Sequence, residues 1–163
     1  MPKLVEALAE ERAVAVAAGY RHSMVLTKSG QVFTFGDGSC GCLGHGNEER
    51  QLVPKLVEAL AEEQAVAAAA GFLHSMVVTA GGQLYTFGDG EGGCLGHGDE
   101  ETQLLPKPVE AFAGKRVIAV AGGYYHSMAV TADGKVFSWG YDPEDNGHLG
   151  HGNFDAQFVP MQI

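Results

Sequence analysis

Residues Gly19–Gly38 read GYRHSMVLTKSGQVFTFGDG, and Gly71–Gly90 read GFLHSMVVTAGGQLYTFGDG. A third version, GYYHSMAVTADGKVFSWGYD, runs from Gly123 to Asp142. Each holds two strand candidates, such as SMVLT and QVFTFG, rich in β-branched and aromatic residues. KSG, AGG or ADG joins them, and Gly30, Gly82 or Gly134 is free to take positive φ, which reads as a hairpin. Three such hairpins in step make a repeat, and a repeat decides the architecture before any motif does.

The period extends in both directions. PKLVEALAEE stands at Pro2–Glu11 and again, unchanged, at Pro54–Glu63; PKPVEAFAGK follows at Pro106–Lys115 and PMQI at Pro160–Ile163, so the spacings are 52, 52 and 54 residues. Copies one and two match at 38 of 52 positions, too many for chance. The chain is therefore read as one repeat domain over residues 1–163. Its units are 2–53, 54–105 and 106–159, with 160–163 opening another; in the alternative phase they are 31–82 and 83–134 with partial ends. AVAVAAG reads as a small-residue strand in a crowded place where sheets converge. LVEALAEERAVAVAA has strong helix formers, but Pro106, Pro108 and Gly114 interrupt copy three. Two strands joined by AEE or AGK fit all copies better. Four short strands in about 50 residues describe a β-propeller blade. The expected fold is all-β, a partial β-propeller of about three four-stranded antiparallel blades.

Composition narrows the function. The 163 residues are 45% hydrophobic and 18% charged, with a net charge of −10. An acidic chain with scattered Lys and Arg lacks the basic patch that phosphate backbones require, so no direct nucleic-acid partner is expected. No apolar run approaches the roughly 20 residues of a membrane span, and MPKLVEALAEER does not resemble a signal peptide. Three cysteines without framework spacing suggest an intracellular, reducing setting, cytoplasmic or nuclear.

Phe33–Gly46, FTFGDGSCGCLGHG, raises three chemistries. G-x-G-x-x-G at Gly36–Gly41 would cradle pyrophosphate only if it opened a helix, and CLGHG cannot. Cys40, Cys42 and His45 offer soft metal ligands, but copy two has Gly92 for Cys40 and copy three has no cysteine. His22, His74 and His126 each precede a serine, without a recurring carboxylate to orient them as bases. Residues present in every copy serve every blade, so His22, His74, His126, Gly36, Gly88 and Gly140 are assigned structural roles, as is Trp139 in the aromatic slot of the third copy. The histidines are expected to tie strands together through backbone hydrogen bonds. His45, His97 and His151 are expected as exposed turn residues of ordinary pKa. Trp139 is matched by Phe35 and Phe87, expected to fill the same core slot. No catalytic residue, metal or cofactor is expected, and the chain is read as no enzyme.

What breaks the pattern is the better functional candidate. Tyr141–His148, YDPEDNGH, carries a two-residue insertion with Asp142, Glu144 and Asp145 beside Tyr141. After the first glycine of each hairpin unit the residues differ: Tyr20-Arg21, Phe72-Leu73, Tyr124-Tyr125. Tyr141, Asp142, Glu144, Asp145, Arg21 and Tyr125 are the candidate partner-binding residues.

Pro54, Val57, Leu60, Gly71, His74, Ser75, Thr79, Gly82, Phe87, Gly88, Gly93, Leu95, Gly96 and Gly98 carry a pattern that resembles the regulator of chromosome condensation repeat family over essentially the whole chain. Only the third copy has the family's tryptophan. The resemblance implies a β-propeller, usually of seven blades, acting as a protein-interaction module with a protein partner. It also implies two narrower roles: guanine-nucleotide exchange on a small GTPase, and substrate recruitment for a ubiquitin ligase. The family's plant ultraviolet receptors place clustered tryptophans where this chain has Tyr20, Phe72 and Tyr124, so light sensing is not expected. Three blades do not close. The chain is then either a piece of something longer or half of a homodimer that completes a ring.

Overall fold

β-branched and aromatic runs separated by positive-φ glycines give a computed structural model built from hairpins, describing residues 5–144 and 146–163. Blade 1 contains β1 (Ala13–Ala18), β2 (His22–Thr27), β3 (Val32–Gly36) and β4 (Gln51–Leu56). Blade 2 contains β5 (Ala65–Ala70), β6 (His74–Thr79), β7 (Leu84–Gly88) and β8 (Gln103–Pro108). Blade 3 contains β9 (Val117–Gly122), β10 (His126–Thr131), β11 (Val136–Gly140) and β12 (Gln157–Gln162). Strands pair antiparallel in chain order within each sheet. Register repeats too: His22 faces Gly36 and Leu26 faces Val32 in blade 1, as His74 faces Gly88 and Val78 faces Leu84 in blade 2. The fold is all-β, with three four-stranded antiparallel sheets. Among the described residues no helix is long and apolar enough to cross a membrane, which does not bear on β-barrels.

PKLVEAL resolves into something neither strand nor α-helix. β4 runs through Pro54 to Leu56, Val57 is extended, and Glu58–Leu60 makes one 3-10 turn before β5. Val57 and Leu60 fall on the same side of that turn and are both buried between blades 1 and 2. The connection is therefore longer than the AEE joint expected from sequence, because the turn carries core residues.

The small-residue strands β1, β5 and β9 lie side by side as the innermost strands of their blades. Alanine and glycine suit that crowding: a Cβ on Gly122 would stand 2.9 Å from the Ala70 carbonyl oxygen.

The core lies between sheets. Met24, Leu26 and Val32 of blade 1 share one cluster with Val77 and Phe87 of blade 2. Met76, Val78 and Leu84 of blade 2 share another with Ala129, Phe137 and Trp139 of blade 3. The slot expected for Phe35, Phe87 and Trp139 is filled unequally. Phe87 and Trp139 are fully buried, but Phe35 is only half-buried because, among the described residues, no blade covers its side of blade 1.

Candidate partner-binding face

The link between β1 and β2, and its copies, sets two side chains on one end of the propeller. The first of each pair stack. The Tyr20 and Phe72 rings lie 4.4 Å apart at 27°, and Phe72 and Tyr124 lie 3.9 Å apart at 21°. Tyr125 meets Phe72 edge-on at 6.2 Å and Tyr124 at 4.5 Å. The result is an aromatic ladder across three blades with exposed ends, Tyr20 at 59% and Tyr124 at 52% accessibility. Such offset stacks hold their rings rigid while leaving faces and edges free for contact.

The ladder has an acidic border. Asp37, Asp89 and Glu91 occupy the loops that follow β3 and β7. Burial raises the Tyr125 phenol above its ordinary pKa, with the charge of Glu91 next. Arg21 lies over the Tyr20 ring at 5.1 Å and 3.9 Å from Asp37. At the other end a cavity of about 430 Å3 is lined by Tyr124, Tyr125, His126, Tyr141, Glu144 and His148.

The structure thus brings Tyr125, Tyr141 and Glu144 to one cavity and leaves Arg21 at the far end of the ladder. Asp142 is a correction. It is 2% exposed, accepts hydrogen bonds from the Glu144 and His148 amides at 3.3 and 2.9 Å, and lies 3.3 Å from His148 Nδ1. The His148 amide, above all, holds its carboxyl below the usual range. Asp142 is turned into the inserted loop, where its carboxylate is taken up by the loop's own amides rather than exposed. Asp145 lies outside the described residues. The sequence marks the Tyr20, Phe72 and Tyr124 slot as variable; their assembly into one ladder depends on sheet packing.

The repeated polar residues hold blades to one another. His22 Nε2 stands 2.9 Å from Ser75 Oγ, and His74 Nε2 2.9 Å from Ser127 Oγ. Each serine donates to a carbonyl of the preceding blade, Cys42 or Cys94, at 2.8 Å. Each Oγ–H is committed to a carbonyl, so the histidine is the donor, as a neutral Nε2–H tautomer. Burial pushes His22 down to about 4 and His74 to about 3. The expected strand tie through backbone is thus a tie between blades through serine, with each serine hydroxyl enclosed and already donating to a carbonyl. Trp139 Nε1 donates to the same Cys94 carbonyl at 2.8 Å. Gly36, Gly88 and Gly140, at φ 114°, 110° and 110°, would each drive a Cβ into the carbonyl oxygen of Arg21, Leu73 or Tyr125.

His45, His97 and His151 are also corrected. They are half-buried, with Nε2 at 3.0, 2.9 and 2.9 Å from the hydroxyls of Thr34, Thr86 and Ser138. Burial lowers His45 and brings His97 to about 4. Cys42 and Cys94 donate to the Asp37 and Asp89 carbonyls at 3.2 and 3.1 Å. Burial pushes both thiols up to about 12, the opposite of a reactive or ligating cysteine. Among the described residues no group of three His, Cys, Asp or Glu side chains is placed to hold a metal ion.

The model for the regulator of chromosome condensation (RCC1) repeat matches residues 29–78, 81–130 and 133–163. The chain belongs to this family. A second RCC1 repeat model matches 13–42 and 117–147. The chain is 43% identical over 166 residues to the mouse E3 ubiquitin-protein ligase HERC2, covering 99% of this chain and 3% of that protein. Among solved structures, human WBSCR16 superposes with a TM-score of 0.85 at 23% identity, over 96% of this chain and 41% of that one. Yeast Prp20p, studied with its binding properties to Gsp1p and histones, superposes with a TM-score of 0.81 at 25% identity, over 93% of this chain and 38% of that one. The RCC1 repeats here therefore span a small part of HERC2 and about two-fifths of these propellers.

Proposed function

We propose that these three RCC1 blades are a protein-interaction module that receives its partner on the end bearing the aromatic ladder. The observation that carries this is the continuous stack of Tyr20, Phe72 and Tyr124, exposed and edged by carboxylates. Rigid aromatic surface is a common source of binding energy at protein interfaces, while the buried hydroxyls, thiols and imidazoles are occupied in hydrogen bonds within blades and between them. The kind of partner is a protein, met on a propeller of which these three blades are a part. Two narrower readings rest on relatives. Similarity to the ligase HERC2 supports recruitment of substrates to a ubiquitin ligase. Similarity to Prp20p, whose binding to Gsp1p has been described, supports a small GTPase as partner, and the repeat family's resemblance adds nucleotide exchange as the outcome.

One experiment separates these roles. The chain and a Tyr20→Ala/Phe72→Ala/Tyr124→Ala variant are titrated against a panel of small GTPases loaded with fluorescent GDP. Binding without faster GDP release, lost in the variant, is the expected result for a pure interaction module. Faster release moves the assignment to exchange. Binding that survives removal of all three rings overturns the ladder as the contact face.

A further inference from the structure

Copies one and two of the repeat match so closely that a change of every neighbour around one shared side chain stands out. Asp37 and Asp89 occupy the same point, directly after the glycine that ends β3 or β7. Each turns one oxygen onto its own loop: Asp37 Oδ1 accepts the Ser39 amide at 2.9 Å, and Asp89 Oδ1 accepts the Glu91 amide at 3.1 Å. Around Asp37 the rest of the charge is met within the chain. Arg21 and Arg50 lie 3.9 and 3.8 Å from its Oδ2, and the Ser39 hydroxyl donates to Oδ1. In blade 2 all three are gone. Leu73 replaces Arg21, Thr102 replaces Arg50 and Glu91 replaces Ser39, while Asp89 itself is kept. Among the described residues no ion pair reaches Asp89 or Glu91.

These carboxylates are held in place. The turn Glu91–Gly93 is seated on blade 3, where a Cβ on Gly93 would stand 2.9 Å from the Phe158 Cα. Glu100 Oε1 accepts the Gly92 amide at 2.9 Å, and Gly90 lies against the Glu100 carbonyl. From the other side Tyr125 of blade 3, which stands where the first copy has Arg21, meets Phe72 edge-on at 6.2 Å. Burial first, with the charges of Glu91 and Asp89 among the further causes, raises its phenol above the ordinary pKa. The joint of blades 2 and 3 thus presents a half-buried carboxylate, an exposed one and an aromatic edge, with none of the cations of blade 1. Like charges fixed on one turn draw a cation.

We propose that this joint takes an arginine side chain of the protein partner, its guanidinium entering between Asp89 and Glu91 and lying against the Tyr125 ring. The chain holds its own precedent, since the Arg21 guanidinium lies 5.1 Å from the Tyr20 ring centre and beside Asp37. Blade 1 builds the cation in; blade 2 leaves it to the partner. Arginine fits better than lysine. A planar fork of donors serves two separate carboxylates at once and stacks on an aromatic ring, whereas an ammonium is a compact, strongly hydrated point charge. The ladder then supplies contact area, and the carboxylates beside it supply orientation and choice of partner.

This inference rests on the ladder as the contact face and adds the chemistry of what meets it. The isotope-labelled chain is titrated with N-acetyl-arginine amide and, in parallel, with N-acetyl-lysine amide, and backbone amide shifts are followed by NMR. The amides of Leu73, Asp89, Glu91 and Tyr125 are expected to shift saturably with the arginine probe and several-fold more weakly with the lysine probe. Those of Asp37 and Ser39, whose cations are in place, should stay still. Leu73→Arg/Thr102→Arg gives blade 2 the cations of blade 1 and should abolish the saturable shifts. Glu91→Ser changes only an exposed side chain and should weaken them several-fold; it decides alone if the double variant does not fold, which the remaining amide shifts report. Equal responses at Asp37 and Asp89, equal responses to the two probes, or shifts that survive both variants overturn the arginine slot. An unmoved Asp89 in a chain whose partner still needs Tyr20, Phe72 and Tyr124 overturns the slot alone and leaves the proposed function standing. Partner binding that survives loss of those rings overturns the ladder, and with it the partner this slot would serve.

Discussion

Phe35 and Phe87 occupy the same place in two copies of one repeat, with the same neighbours in sequence, TFGDG after a β-strand start. One is half-exposed and the other fully buried. The repeat specifies a blade; burial of this ring is supplied by the preceding blade. In a solenoid or propeller each unit is therefore stabilised by its neighbours more than by itself, and interior joints should be costly to damage where open faces are not. Phe87→Ala is expected to lower the unfolding free energy by about 3–5 kcal/mol, the usual cost of removing an enclosed phenyl ring. Phe35→Ala, measured at a concentration where chains do not associate, should cost under about 1 kcal/mol. Urea denaturation followed by tryptophan fluorescence reads both, since Trp139 lies within the joint beside Phe112. Equal costs would mean that the two faces are alike and that the neighbouring blade adds nothing to the burial of Phe87.

Protonation tests the same contrast with the backbone untouched. His22 and His74 sit in interior joints with folded pKa values of about 4 and about 3. The unfolded chain takes up those protons near 6.5. Between 6.5 and the folded values the unfolded state binds more protons, so stability is fully present above about pH 6.5 and falls as the pH drops toward 4. Each histidine contributes up to about 1.4 kcal/mol per pH unit in that window. Urea midpoints at pH 7, 6 and 5 should fall progressively, and His74→Gln should remove about half of the slope these two give. A slope unchanged in the variant would show that the His74–Ser127 tie does not set the acid sensitivity.

Much of this fold is legible in the sequence. The strands follow from runs such as VFTFG and SMVVT, the hairpins from Gly30 and Gly82, and the crowded inner strands from AVAAAA. Local composition carries these features because each depends on neighbours within a few residues. What was not legible depends on residues about 50 positions apart. Nothing near His22 in sequence indicates that its partner is Ser75. The three-ring ladder needs the angle between sheets. Asp142 looks like surface charge in DPED, yet the loop folds its carboxylate onto its own amides at Glu144 and His148. EAL at Glu58–Leu60 looks helical by propensity, and the turn stops after one winding because Val57 and Leu60 are already anchored in the joint.

The smallest expected effect is the one whose sign is most informative. Cys40 and Gly92 are equivalent loop positions, both left-handed, at φ 57° and 67°. Their amides make the same contact, donating to Glu48 Oε1 at 3.0 Å and Glu100 Oε1 at 2.9 Å. A side chain in this conformation costs about 1–2 kcal/mol relative to glycine, partly offset by glycine's larger entropy when unfolded. Cys40→Gly should therefore leave the fold unchanged and raise stability by up to about 1 kcal/mol. The reverse change is not its mirror image. Gly92 lies against blade 3, where a new Cβ would stand 2.6 Å from the Cβ of Tyr141, whereas the position equivalent to Tyr141 beside Cys40 is the slimmer Asp89. Gly92→Ala adds that clash to the backbone cost and should lower stability by about 2–3 kcal/mol. Urea midpoints for the two variants should move in opposite directions and by unequal amounts. A Gly92→Ala chain as stable as the wild type would mean that Tyr141 is not seated on blade 2, and that the inserted loop of blade 3 is free to move away from the joint.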